Sequence, residues 1–357
     1  MSGVLALARP DILALEPYRH AAWDPSLERM HANEMPWPAP GDDTGALHRY
    51  PEPQPAELIA HLAALYGVAP PQVLAGRGSD EAIDLLVRAF CRAGHDAVVV
   101  CPPTFGMYAV AAGVQGAAVI EVPLVRERSF ALDAAGVLQA CRGPVKLVFL
   151  CSPNNPTGNL LDAAAVEQLC TKLAGRALVV LDEAYVEMSG AASFSARLAA
   201  HDNLVVLRTL SKAYALAGAR CGVLLGHADV VSLLRRIIPP YALPAPTIDA
   251  ALRLTRPEHR AELARRVEVL RAERGRLAAA LERCPLVQRV FPSDANFLLV
   301  ECRDAQRVLD AVASVGLLVR DLRRAALLGE HVRISVGTPE QNARLLAALE
   351  RASGETA

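Results

Sequence analysis

Lysine is nearly missing from this chain. Of its 37 basic residues only Lys146, Lys172 and Lys212 are lysines, so arginine fills almost every place where a generic surface cation would serve. Where a lysine is kept, the useful question is what a guanidinium cannot do there. An amine can lose its proton and attack a carbonyl, whereas guanidinium stays charged at any ordinary pH. An excess of charge of one sign is also absent. The 37 basic and 38 acidic residues leave a formal charge of −1, which offers no field to draw nucleic acid or anionic lipid. The eight cysteines form no C-x-x-C pair and several sit inside apolar runs, which argues against zinc or disulfides and suits buried thiols in a reducing cytoplasm. No apolar run reaches the roughly 18 residues of a membrane span, and the N-terminus lacks the basic opening and small-residue cleavage site of a secretory signal. Internal repeats are lacking as well.

What is present is a large apolar budget in an ordered pattern. With 52% hydrophobic residues over 357 positions, the chain can bury an extensive core and divide into about two domains. Residues 1–53 are rich in Pro, Gly and Asp and read as an arm, completing part of a small domain. Helical spacing of apolar residues predicts a helix over 55–66 with Gly67 as its stop, and a second from 76 to about 94. Apolar runs at 97–101, 117–122, 145–151, 177–181, 204–207 and 222–225 follow, separated in part by helical patterns such as 162–174. Such alternation implies an α/β fold, with a mostly parallel central sheet flanked by helices. YALPAPT (241–247) reads as a linker, so the large domain is expected over 54–245 and a smaller α+β domain over 246–357. The latter opens with a long helix over 257–284 and continues with strands at 295–300, 317–320 and 332–336, a helix over 305–315 and a last helix from Pro339.

Three segments place polar chemistry where the large-domain strands end, the edge at which open α/β sheets hold ligands. They are CSPNNPTG (151–158), DEAY (182–185) and the RTLSKAYALAGARCG loop (208–222) that carries Lys212. Each alone is weak, since an Asn-Pro turn is usually only a turn and a strand-end carboxylate often only a helix cap. In this order they are distinctive. With RYPEPQP (49–55), GRGSDEAIDLLVRAF (76–90), CPPTFGMY (101–108) and VRISVGT (332–338), they make the chain resemble, over about 15–349, the fold-type I pyridoxal-phosphate aminotransferases, and within them the histidinol-phosphate aminotransferase family.

The resemblance implies pyridoxal 5′-phosphate as cofactor and transamination between L-histidinol phosphate and 2-oxoglutarate, giving imidazole acetol phosphate and glutamate in histidine biosynthesis. Lys212 would form the Schiff-base link and move the substrate proton. Asp182 would face the pyridine nitrogen, Asn155 and Tyr185 the phenolic oxygen, and Phe105, where many relatives have tyrosine, would stack on the ring. The phosphate would sit on Gly78, Ser79 and Asp80 at a helix start, with Ser211 and Arg220. Tyr50 would reach that phosphate from the neighbouring subunit of a homodimer. Arg333 and Arg320 would bind substrate anions, Tyr18 would touch the imidazole, and Asn33 and Glu34 would line the entrance; Met30-His31 replaces the usual Leu-Asn of that segment. No metal, nucleic acid or membrane is implied. Two rivals stay open on the same fold: an aromatic-amino-acid aminotransferase and a threonine-phosphate decarboxylase-like enzyme. A non-enzymatic regulator with an aminotransferase-like domain would need a DNA-binding module, for which this chain has neither spare length nor a basic patch.

Overall fold

Short runs of valine and leucine, buried on both sides, build the centre of the molecule. In the computed structural model, which describes residues 3–20, 23–24, 26–45, 47–325 and 327–354, they form a seven-stranded sheet: β1 (Val73–Gly76), β2 (Ala97–Val100), β3 (Ala118–Glu121), β4 (Val145–Cys151), β5 (Leu178–Asp182), β6 (Leu204–Thr209) and β7 (Gly222–Gly226). Their spatial order is β1-β7-β6-β5-β4-β2-β3. The pairs β2–β3, β2–β4, β4–β5 and β5–β6 are parallel, and β7 runs antiparallel to both β1 and β6. The expected mostly parallel sheet is therefore present. β1 was not foreseen, because four apolar residues carry no period that separates strand from helix.

Helices cover both faces. In chain order they are α1 (Pro10–Leu13), α2 (Ala56–Tyr66), α3 (Ser79–Phe90), α4 (Met107–Gln115), α5 (Ala134–Ala140), α6 (Ala163–Leu173) and α7 (Ala228–Leu234). Side chains alternate along each strand, so consecutive residues enter different cores. Val148, Leu150, Val179, Leu181 and Val206 pack with α2 and α6. Leu147, Phe149, Cys151, Leu178, Val180, Val205 and Leu207 pack on the other side with α3, α4 and α7. The parity matters for the chemistry: Asp182 continues the Leu178, Val180 series, and its register partner Cys151 continues that of Leu147 and Phe149.

A second, antiparallel sheet lies in the C-terminal part. It has the order β10-β11-β9-β8, from β8 (Val287–Val290), β9 (Phe297–Cys302), β10 (Arg320–Asp321) and β11 (His331–Ser335). With it come α8 (Ala245–Leu254), α9 (Pro257–Leu281), α10 (Ala305–Ser314) and α11 (Pro339–Gly354). Its core joins Leu277 and Leu281 of α9 to Leu298, Val300, Val308, Val332 and Leu345. Two details depart from the sequence reading. The linker ends early, because α8 begins at Ala245 with a proline in its first turn, where the missing N–H removes no helical bond. The strand expected at 317–320 shrinks to Arg320–Asp321, paired with Arg333 and Val332; Leu318 is 94% exposed. Among the described residues no helix is long and apolar enough to cross a membrane.

Gly222 shows how tightly β7 meets the start of α3. A Cβ on Gly222 would lie 2.1 Å from the Gly78 carbonyl carbon and 2.2 Å from the Ser79 nitrogen, both backbone atoms that cannot rotate away. Gly222→Ala is expected to lower unfolding stability by about 1–3 kcal/mol through overpacking, as read by urea denaturation; an unchanged midpoint would show that the backbones part freely.

Candidate active site

The carboxyl ends of β4, β5 and β6 and the start of α3 open into one cavity of about 790 Å³. It collects twelve of the residues singled out from the sequence: Gly78, Ser79, Asp80, Phe105, Asn155, Asp182, Tyr185, Ser211, Lys212, Arg220, Arg320 and Arg333. The parallel strands explain the gathering, since each ends at the same edge and hands its next residues to the same space. Arg320 and Arg333 come from the second sheet, as neighbours across the β10–β11 ladder.

Asp182 forms the floor. Its side chain ends a strand in which every residue is buried, and it is only 3% exposed. Oδ2 accepts a hydrogen bond from the Tyr108 hydroxyl at 2.8 Å and Oδ1 one from the Ala184 N–H at 3.1 Å. Burial pushes the carboxyl up from the usual 3.8 to about 6, while the Tyr108 and Ala184 bonds pull the other way. Lys212 reaches in from the loop after β6, with Nζ 5.6 Å from the centre of the Tyr185 ring. The packing around its ammonium, followed by the guanidiniums of Arg333 and Arg220, holds it below the usual lysine value; Asp182 and Asp80 oppose them. An amine so placed is easier to deprotonate than a surface lysine.

One end of the cavity suits a dianion. α3 starts after Gly78, whose φ of +86° is in the region that favours glycine, and no side chain caps the helix. A Cβ there would lie 2.7 Å from the Arg220 guanidinium, so glycine leaves this cradle open. Arg220 pairs with Asp80 at 3.2 Å, and the Ser211 hydroxyl accepts from Thr209 at 2.9 Å. Helix N–H groups, a hydroxyl and a guanidinium thus converge, the donor set a phosphate takes. At the other end Arg333 donates to Asn155 Oδ1 at 2.5 Å and lies over the Phe297 ring at 5.2 Å. Burial, and Arg320 beside it, press its guanidinium below the usual value, with Tyr185 opposing. An anion arriving here would offset the repulsion from Arg320 and favour the charged guanidinium.

Comparison with known proteins fits this geometry. The family model for aminotransferase class I and II matches residues 23–349. The chain belongs to the class I and II aminotransferases. It is 51% identical to the histidinol-phosphate aminotransferase of Stenotrophomonas maltophilia over 97% of this chain and 96% of that protein, and 50% identical to that of Xylella fastidiosa over 90% and 88%. Among solved structures it is similar to the histidinol-phosphate aminotransferase of Sinorhizobium meliloti in complex with pyridoxal-5′-phosphate, with a TM-score of 0.78, 27% identity and coverage of 91% of this chain and 90% of that one.

Four residues singled out from the sequence stand outside the cavity of their own chain. Tyr18 is 67% exposed and meets His20 edge-on, with ring centres 5.6 Å apart. Asn33 is exposed, with φ +56°. Glu34 has its carboxylate bound within the arm: Arg49 donates at 2.9 Å, Arg29 lies at 3.3 Å and the Tyr50 N–H donates at 2.7 Å. Tyr50, 48% exposed, stacks on Tyr241 at 4.5 Å. Conversely, the sequence reading left two residues without a role. Tyr108 lies in the first turn of α4, and Phe105 precedes that helix, so no helical spacing in PTFGMY marked Tyr108 beforehand. Arg208, 5% exposed, binds Glu183 at 3.2 Å, Ser193 at 2.8 Å and Glu187 at 2.5 Å; its place at the head of RTLSK gave no hint of these partners.

The raised carboxyl of Asp182 has a measurable sign. Its folded value is above 3.8, so the folded chain takes up a proton between about pH 4 and 6. The group's contribution is most favourable below that window and is lost as pH rises through about 6. Cofactor-free protein should therefore lose about 2 kcal/mol between pH 4 and 7 relative to Asp182→Asn. Urea titrations at both pH values measure the difference in slope, and parallel profiles would contradict it.

Proposed function

We propose that this chain is a pyridoxal-phosphate-dependent aminotransferase of histidine biosynthesis, exchanging an amino group between L-histidinol phosphate and 2-oxoglutarate to give imidazole acetol phosphate and glutamate. One observation carries the chemistry: a single cavity holds a lysine of lowered basicity, a buried carboxylate and a helix N-terminus backed by an arginine. The choice of substrate rests on the relatives named above, about half identical over nearly the whole chain.

The residues present fit pyridoxal phosphate at both of its poles, since the cradle at Gly78 takes a phosphate and Asp182 takes a protonated pyridine nitrogen. When bound, the cofactor supplies an aldehyde for amines and a sink for the electron pair left at a substrate α-carbon. Ser79, Ser211 and Arg220 would hold the phosphate, and Asp182 would keep a proton on the ring nitrogen. Asn155 and Tyr185 would donate to the phenolic oxygen, and Phe105 would cover the ring. Lys212 carries the proton to and from the substrate α-carbon, which its lowered basicity assists. Arg333 and Arg320 bind substrate carboxylate or phosphate through two-pronged guanidinium contacts. The buried free thiols suit a reducing cytoplasm.

Borohydride reduction of the loaded protein followed by tryptic mapping should place the cofactor on Lys212. Lys212→Ala should lose that label and essentially all transamination, whereas Lys146→Ala and Lys172→Ala keep both. Label on another lysine contradicts the assignment. A panel of histidinol phosphate, phenylalanine and threonine phosphate separates the substrate reading from the aromatic aminotransferase and decarboxylase alternatives by which compound turns over fastest and whether carbon dioxide appears.

The arm supports a site shared between two subunits. Tyr50 is exposed and outside its own cavity, with its backbone N–H bound by Glu34 and its ring stacked on Tyr241, a placement from which its hydroxyl would serve the phosphate of a partner across a two-fold axis. Tyr18, Asn33 and Glu34 belong to the same arm, and in this reading Asn33 and Glu34 would line the entrance of the partner's site and Tyr18 would meet the imidazole there. Mixing Tyr50→Ala with Lys212→Ala, each inactive alone, should restore activity, at most about one working site in two per heterodimer. Tagged chains that exchange with no activity returning would place Tyr50 in its own subunit or outside catalysis.

A further inference from the structure

Beneath the cavity floor lies a polar group that the reading above leaves unused. Tyr108 sits in the first turn of α4, fully buried at 0% exposure. Its ring is parallel to Phe149 at 4.9 Å and edge-on to Phe105 at 5.6 Å, so it has no freedom to swing. Its hydroxyl donates to Asp182 Oδ2 at 2.8 Å. The other polar neighbour is the Cys151 thiol, which donates to the Pro153 carbonyl at 3.4 Å.

A tyrosine placed for packing alone could be phenylalanine without loss. A buried hydroxyl without a partner is costly, and here the oxygen is spent on the one carboxylate that the cavity needs ionised. We propose that Tyr108 is a positioning residue, whose O–H fixes the plane of the Asp182 carboxylate and favours its anionic form, and thereby sets the charge that faces the cofactor ring. The inference rests on the functional reading above. Burial, and then Asp182, push the phenol well above its ordinary value, so Tyr108 remains a donor throughout the working range. The groups that face Asp182 are Asp80 on α3, Tyr108 on α4, Cys151 on β4, Tyr185 after β5 and Lys212 after β6. Of these, Tyr108 is the one with a side-chain hydrogen bond to the carboxylate. The same link makes Phe105 and Asp182 parts of one unit, since the ring that meets Tyr108 edge-on and the carboxylate Tyr108 holds both line the cavity.

Tyr108→Phe keeps the stacked ring and deletes the donor. For the full-length chain it should weaken pyridoxal phosphate binding about tenfold at pH 6 and less at pH 9, and move the acid limb of kcat/KM up by about one pH unit. kcat should fall with KM nearly unchanged. In an Asp182→Asn background the same change should alter cofactor affinity less than about twofold, because the two act as a pair. A loss of melting temperature with unmoved acid limb and affinity, or an equal effect in both backgrounds, overturns the proposal. A measurement on the unsubstituted, cofactor-free chain does not depend on the variant folding or on the functional reading. An ultraviolet tyrosine difference signal should titrate with Asp182 near pH 6, where burial places that carboxyl, and its absence also overturns the proposal. Cofactor binding by the unsubstituted chain separately tests the functional reading.

Discussion

A carboxylate buried at the end of an otherwise apolar strand is the constraint around which the cavity is built. β5 is a central strand, hydrogen-bonded to β4 and β6, and its side chains up to Leu181 are fully buried hydrocarbon. Charge in such a place is tolerated only when donors reach it, and Asp182 has two, the Tyr108 hydroxyl and the Ala184 N–H. The same burial that strains the anion makes it useful, because a charge shielded from water acts strongly on whatever faces it. Lys212 lies on the other wall, with its own charge disfavoured by packing and by two arginines. The cavity thus holds an acid and a base whose usual strengths have been brought closer together, the condition for proton movement near neutral pH.

The period of two in a strand divides this labour between the faces of the sheet. Asp182 is directed to the α3 and α4 side, and the next residue, Glu183, to the opposite side, where it meets Arg208 from β6. That arginine also binds Glu187 and Ser193 and lies over the Tyr66 ring at 4.6 Å. A buried ion pair is weak evidence for stability, but this one ties the segment carrying Tyr185 to the strand that leads into Lys212. Neighbouring residues of one motif therefore serve chemistry on one face and rigidity on the other.

Close backbone approach sets the phosphate end. Gly222 and Gly78 leave no room for a Cβ between β7, the Arg220 guanidinium and the start of α3. Arg220 itself takes a left-handed φ of +56°, which turns its side chain towards Asp80 and the helix start. An anion site made this way takes its shape from main-chain atoms set by the sheet, to which Ser211 and Arg220 add side-chain donors.

The sequence by itself determined the class of fold and most of the cavity. Apolar runs of strand length alternating with helical periods could only be buried in a two-faced sheet, and polar motifs following three of those runs had to emerge at one edge. The scarcity of lysine, together with the motif around it, made Lys212 legible, whereas Lys146 and Lys172 lie outside the three polar motifs. What sequence could not supply were contacts set by parity and distance. Tyr108 and Asp182 are 74 positions apart and Arg333 and Asn155 are 178 apart, and no local pattern specifies such pairs. The four-residue β1 and the helix begun by a proline-rich stretch were decided by neighbours, because packing overrides weak local preference. Glu34 could be read as an entrance residue from its motif, yet only the tertiary structure showed its carboxylate bound to Arg29, Arg49 and the Tyr50 backbone. Burial, which sets how strongly Asp182 holds its proton, is a property of the packed molecule alone.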